Sequence, residues 1–375
     1  MAERFDGRIC IRQRIAGSYR LPFFDLLAER CSGSVVLISG QPDTTDAVNT
    51  KGELKVAQWV KVKNVRRWSG ILTNYRQPEL IEKLDKIKPD VFVSEASPRL
   101  VDTKQVTDHL RNQNIPSLGW GAGTTDFWNQ PLKRLRSWYR DRVITKFDGM
   151  LCYGTLAQSQ YQAVGYQPED TFVLYNSAIR QPAASSAPDR EPCTQPIKVL
   201  FIGGLLKTKS IDRLVEAAAL LKEDGKSLVV KIVGDGPEAE HLHQLVNTLD
   251  APVEFLGRQT GERLAEIARS SDLFVLPGLG GLAIQEAMAY GLPVIVTEAD
   301  GTELDLVQDN GWIAQKEDSQ SLADCIAEAI ADPVALREKG KESFRIVYEN
   351  INLDLMADRF IRAANDIKAR LNNSG

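Results

Sequence analysis

Short apolar runs alternate with amphipathic stretches along most of this chain. In the first half, residues 9–13, 34–40, 59–65, 90–95, 116–121 and 148–153 carry apolar side chains over strand-like lengths. Between several of them the apolar spacing opens to three and four residues, as over 78–87 and 103–112, which predicts helices. Strands alternating with helices predict parallel sheets covered on both faces.

The rhythm breaks at 181–196, QPAASSAPDREPCTQP, where four prolines and many small residues predict a linker. It then restarts in a cleaner form. Strands are predicted at 198–203, 228–233, 253–256, 272–276 and 293–297. The first is followed by a helix carrying Ile211, Leu214, Val215, Ala218 and Leu221 on one face, and further helices are predicted at 237–249, 261–270 and 282–290. The expected organisation is a Rossmann-like domain over 1–180, the linker, a second Rossmann-like domain over 197–350, and a final segment, 351–375. The helical stretch 353–371 has no strand after it and is expected to pack back across the domain boundary. Two doubly wound α/β domains of this kind place a ligand cleft at the carboxyl ends of their strands.

Composition narrows the picture. A chain of 375 residues exceeds the roughly 250–300 that one hydrophobic core supports. The formal charge of −4 argues against a general nucleic-acid binder. Cys10, Cys31, Cys152, Cys193 and Cys325 are odd in number and show neither zinc nor disulfide spacing, as expected in a reducing compartment. No window approaches the ~18 apolar residues of a membrane span, and the expected location is cytoplasmic.

The chemistry concentrates in 276–305, LPGLGGLAIQEAMAYGLPVIVTEADGTELD. A buried strand runs into a turn bearing Gly278, Gly280 and Gly281, and a helix opens near Leu282. Glycines allow close backbone approach, and free amides at a helix start favour an anion such as a diphosphate. A tight turn with no ligand explains the spacing equally well. Glu286 lies one turn into the helix, where its carboxylate can accept hydrogen bonds from two ribose hydroxyls; on composition alone it also reads as a solvated surface glutamate.

This segment resembles the donor-binding motif of family 4 retaining glycosyltransferases with the GT-B fold, E-G-F-G-L-x-x-x-E-A-M-A-x-G-x-P-V-I. The neighbouring motifs follow the family in order: the glycine loop at 201–210, Ile232-Val233-Gly234-Asp235-Gly236-Pro237, Val253-Glu254-Phe255-Leu256-Gly257, and Gly291-Leu292-Pro293-Val294-Ile295. The resemblance covers roughly residues 199–315. It implies a sugar transfer from a nucleoside-diphosphate sugar in polysaccharide or glycoconjugate assembly. Glu286 would hold the ribose, and the backbone at Gly203, Gly280, Gly281, Leu282 and Ala283 would line the diphosphate. Lys209 would neutralise the leaving phosphates as the catalytic cation, and Gly257 and Arg258 would lie beside the base. In such transferases the leaving phosphate itself takes the acceptor proton on the same face.

Two positions depart from the pattern. The family's arginine in its glycine-arginine-leucine loop falls at Gly204, and the first glutamate of the Glu-x7-Glu pair, which touches the donor sugar, falls at Gly278. A P-G-x-G-G-L turn of this kind marks a variant subfamily. A nucleotide-sugar epimerase or phosphorylase on the same fold, or a degenerate subunit that only binds, are the alternative readings.

The first domain is expected to carry a sugar or lipid-linked acceptor. Arg20, Glu95 and Trp120 are the cleft candidates, with Leu118–Asp126 as a wall; Arg20 reads equally well as a capping or surface arginine. His109, His241 and His243 read as surface helix residues, so no histidine base is assigned. No short Asp-x-Asp ends a strand facing the cleft, so no metal is expected; no organic cofactor is expected either. Residues 127–146 interleave Lys133, Arg134, Arg136, Arg140, Arg142 and Lys146 with Phe127, Trp128, Trp138 and Tyr139. That pattern suits peripheral contact with an anionic membrane, and equally a helix burying Leu132, Leu135 and Tyr139.

Overall fold

The computed structural model describes residues 2–43, 50–68, 73–123, 133–190 and 193–374, those at 133–136 and 372–374 by backbone alone. The chain forms two compact units: Met1–Ala178 with Leu353–Gly375, and Ile179–Asn352.

The first unit contains β1 (Ile9–Ile15), β2 (Val35–Gly40), β3 (Gln58–Val62), β4 (Val65–Arg67), β5 (Asn74–Arg76), β6 (Val91–Glu95), β7 (Ser117–Gly121), β8 (Gly149–Cys152) and β9 (Thr171–Val173). Seven of them form a parallel sheet in the order β3-β2-β1-β6-β7-β8-β9, and β4 pairs antiparallel with β5 as a separate ribbon. Every residue of β2 is buried, as expected of a parallel strand covered on both faces. The helix Leu353–Ser374 completes this unit. Its Met356, Phe360, Ile361 and Ile367 enter the same core as Phe23 and Trp120. Phe360 meets Phe23 and Trp120 edge-on, with centroids 5.6 and 5.9 Å away, the geometry aromatic quadrupoles prefer.

The second unit contains β10 (Ile197–Ile202), β11 (Leu228–Val233), β12 (Val253–Phe255), β13 (Leu273–Leu276), β14 (Val294–Thr297) and β15 (Gly311–Ala314). They form a parallel sheet in the order β12-β11-β10-β13-β14-β15. In both units the winding reverses once, between β1 and β6 and between β10 and β13. A crevice opens outside the carboxyl ends of the strands at such a reversal.

Two segments differ from the sequence expectation. The predicted strand over 59–65 divides into β3 and β4, because the Asn64 side chain donates to the carbonyls of Arg14 (2.9 Å) and Gln41 (3.1 Å) and draws the chain off the sheet. The described residues of the proline-rich stretch 181–196 belong to the second unit. Arg190 fastens it there by donating to the carbonyls of Tyr290 (2.8 Å), Ala268 (3.2 Å) and Arg269 (3.0 Å).

Candidate functional site

At the reversal in the second unit, glycines end adjacent strands. Gly203 donates its amide to Val233 (3.0 Å), and Gly234 donates to Gly257 (2.9 Å). Gly234 has φ +155°, and a Cβ there would sit 1.8 Å from the Gly203 carbonyl oxygen, so no other residue fits. The carboxyl ends of β10, β11 and β12 are thereby stitched into a backbone floor. Gly257 and Arg258 stand exposed at its margin.

The chain leaves β10 through a short turn, Lys207–Lys209, and enters the helix Ile211–Glu223. The glycine turn after β13 clamps onto this loop. Leu279 donates its amide to Thr208 (3.0 Å), and the Lys209 ammonium donates back to the Leu279 carbonyl. A Cβ at Gly278 would lie 2.5 Å from the Thr208 oxygen and 2.6 Å from the Lys209 carbonyl carbon. Gly278 is therefore a close-approach glycine: where the family pattern carries its first glutamate, this chain has backbone against backbone. Gly204 differs, since its added Cβ would meet nothing nearer than Leu206 at 3.6 Å.

Past the turn, the helix Gly281–Ala289 begins without a side-chain cap. Ala283 donates its amide to Gly280 (3.0 Å), which takes that amide out of the set expected to meet a diphosphate. The amides of Gly281 and Leu282, the first two of the helix, have no carbonyl partner within the helix. One turn further, Glu286 is half-buried beside the buried Gln285 and Ala287. Among the described residues its carboxylate has no hydrogen bond and no ion pair, and burial holds its pKa above the ordinary value. Burial also lowers the pKa of Lys209, with the charge of Asp300 partly opposing it. Anion and cation alike are held by the fold in a setting that disfavours their charge.

The loop after β14 carries residues that the sequence reading did not single out. Asp300 accepts from the Thr302 amide (3.1 Å) and hydroxyl (2.6 Å), and Glu303 accepts from the amides of Ala299 (2.8 Å) and Gly301 (2.9 Å). The Thr302 hydroxyl lies 2.8 Å from where a Gly281 Cβ would be. The loop thus covers the helix start. Its sequence signal is a turn, Ala-Asp-Gly-Thr, followed at once by a buried glutamate that ties it.

In the first unit, Arg20, Glu95 and Trp120 come together at the other reversal. The Arg20 guanidinium lies 4.5 Å above the Trp120 ring and donates to the hydroxyls of Tyr153 (2.7 Å) and Tyr19 (3.0 Å). Burial works against its charge, yet Tyr153, Tyr19 and Glu95 raise its pKa overall. Glu95 accepts the Arg14 amide at 3.1 Å. Trp120, expected as a cleft wall, is only 2% exposed and belongs to the core, where it supports Arg20 from beneath.

Residues 124–132, which hold part of the expected wall and of the basic-aromatic stretch, lie outside the described residues. In the helix Lys133–Ile144, Trp138 is 57% exposed under the Arg142 guanidinium, and Tyr139 is exposed rather than buried. Among the described residues no helix is long and apolar enough to cross a membrane.

Residues 187–345 match the family described as glycosyl transferases group 1. The match spans the glycine floor, Lys209, the glycine turn and Glu286. Over 170 residues the chain is 29% identical to the amylovoran biosynthesis glycosyltransferase AmsK of Erwinia amylovora, covering 40% of this chain and 42% of that one. Over 171 residues it is 31% identical to the N-acetyl-alpha-D-glucosaminyl L-malate synthase of Bacillus anthracis, covering 43% of each. The matched part spans about half the length, or less, of such curated relatives. Among solved structures, Anabaena Alr3699/HepE in complex with UDP superposes with a TM-score of 0.68 at 15% identity, over 96% of this chain and 98% of that one. The lipopolysaccharide outer core galactosyltransferase WaaB gives 0.67 at 15% identity, over 95% and 98%. The fold is GT-B, built from two Rossmann-like α/β domains.

Proposed function

We propose that this chain is a retaining glycosyltransferase of the hexosyltransferase type, moving a sugar from a nucleoside-diphosphate sugar to an acceptor in glycan assembly without a metal ion. The observation that carries the reading is Glu286: a half-buried carboxylate, without a partner among the described residues, on a helix whose open amino end meets the Lys209 ammonium at the β10–β13 reversal. In this reading the carboxylate accepts from two ribose hydroxyls. The diphosphate lies over the Gly203 floor, against Lys209 and the amides of Gly281 and Leu282, and the base passes Gly257 and Arg258. As the sugar–phosphate bond breaks, negative charge builds on the diphosphate, and Lys209 with the helix amides stabilises it in place of a cation. The departing phosphate oxygen takes the acceptor proton while the new glycosidic bond forms on the same face. Arg20 and Glu95 are assigned to the acceptor, which is a sugar or a lipid-linked sugar.

The glycosyltransferase names of AmsK and WaaB, and the UDP held by HepE, support this choice of donor chemistry. The test is release of nucleoside diphosphate from a panel of nucleotide sugars in EDTA, with the anomeric configuration of the product read by NMR. Release in EDTA with retained configuration, lost in Lys209→Met, is expected. Inverted product, or release only with divalent ions, contradicts the proposal.

A further inference from the structure

A second pocket lies in the first unit, at the carboxyl ends of β1, β2 and β3. It encloses about 430 Å³ and is lined by Arg14, Lys61, Lys63 and Arg66 against two carboxylates, Asp43 and Glu79. That surplus of positive charge sits in a chain whose formal charge is −4. Arg66 is paired with Asp43 at 3.0 Å, and the Arg14 guanidinium lies 4.6 Å over the Tyr75 ring. Lys61 rests 5.4 Å from the Trp59 ring, and both Lys61 and Lys63 are exposed.

The floor beneath is unusually constrained. Asn64, where the predicted strand breaks, ties the carbonyls of Arg14 and Gln41 together, and its own oxygen accepts from Gln77 at 3.0 Å. Gln77 in turn donates to the Gln13 carbonyl (3.1 Å) and, through its amide, to Asp102 (2.8 Å). Its side-chain oxygen accepts from Arg12 (2.8 Å), and Arg12 forms a buried ion pair with Asp102. Gly40 is required, since a Cβ there would lie 2.2 Å from Asn64. A buried ion pair is seldom a better source of stability than apolar packing. What this network achieves is to fix the ends of β1 and β2 and the Asn64 turn in one arrangement, with Arg14 at the irregularity where the register of β1 on β2 shifts between Gln13 and Ile15.

We infer that this pocket binds a phosphate group of the acceptor substrate. The inference rests on the transferase reading above. Several cations converging on one cavity suit a multiply charged phosphate, and arginine presents a forked donor set to its oxygens. The pocket also adjoins the acceptor candidates: the Arg14 amide is held by Glu95, whose charge acts on Arg20. The phosphate belongs either to a soluble sugar phosphate or to a lipid-linked sugar diphosphate; the chemistry recognised is the same.

The experiment is calorimetric titration of the full chain carrying Lys209→Met, so that the nucleotide site does not compete for phosphate. Inorganic pyrophosphate is the first probe, with glucose 1-phosphate and farnesyl diphosphate as the soluble and lipid arms. Adding Lys61→Ser and Lys63→Ser, both exposed and outside the nucleotide site, is expected to weaken pyrophosphate binding about tenfold and to flatten its salt dependence. The arm that binds more tightly then names the source. Equal pyrophosphate binding with and without the two lysines overturns the inference. Failure of the donor reading registers elsewhere, as nucleotide binding that Lys209→Met leaves unchanged.

Discussion

Glu286 and Lys209 each hold a charge that their surroundings disfavour, and this has a stability consequence with a definite sign. Burial raises the folded-state pKa of Glu286 above its unfolded value. Between those two values the folded state binds more protons, so stability falls as pH rises, and the penalty is complete above the folded pKa. Glu286→Gln removes it. At pH 7 the variant is expected to unfold at a higher temperature than the parent and yet to bind nucleoside diphosphate roughly tenfold more weakly or worse, because a charge-assisted pair to ribose is lost. Thermal unfolding and titration on the same sample check both halves; a variant that binds like the parent removes Glu286 from the ribose. The position of this residue was legible from the helix start and the family spacing. Its burial and lack of a partner were not, since both depend on Gln285, Ala287 and the sheet beneath. Trp120 shows the converse: an aromatic at a strand end reads as a cleft residue, but the packing of Phe23 and Phe360 around it makes it core.

The proposed donor site rests on a pair of loops, 203–210 and 277–281, locked by the Leu279–Thr208 and Lys209–Leu279 hydrogen bonds. Two glycines that look alike as departures from the family pattern behave oppositely here. Gly278→Ala is expected to lower the unfolding temperature and weaken nucleotide binding together, because its methyl group meets the Thr208 and Lys209 backbone. Gly204→Arg is expected to fold as the parent does and to bind nucleoside diphosphate more tightly, since the position is exposed and a guanidinium there adds a phosphate donor. Thermal unfolding with and without nucleotide separates the two; a harmless Gly278→Ala refutes the clamp. Sequence alone could not rank these positions, because the backbone that excludes a side chain at 278 lies some seventy residues earlier in the chain. The break in the predicted strand at 59–65 was hidden for the same reason: the carbonyls that capture Asn64 belong to Arg14 and Gln41.

At the scale of the whole molecule, alternating apolar runs and amphipathic helices were enough to read two doubly wound domains, because fully buried parallel strands leave a strong apolar signal. β5, β9 and β15 went unread: the first two are three residues long and none of the three is fully buried, so none carries that signal. The helix Leu353–Ser374 is expected to pack back because no strand follows it, but which side chains it buries depends on tertiary packing around Phe360, which the pattern does not reveal. The central claim is that the second unit holds a nucleoside diphosphate on Glu286, Lys209 and a helix start without metal. Its most direct test is thermal unfolding of the full chain in EDTA against UDP, GDP, ADP and CMP, alongside Lys209→Met. A ligand bound only by the folded state raises the unfolding temperature in proportion to its occupancy. A clear shift with one nucleoside diphosphate, lost in Lys209→Met, is expected. No shift with any nucleotide, or one that Lys209→Met leaves intact, would contradict it.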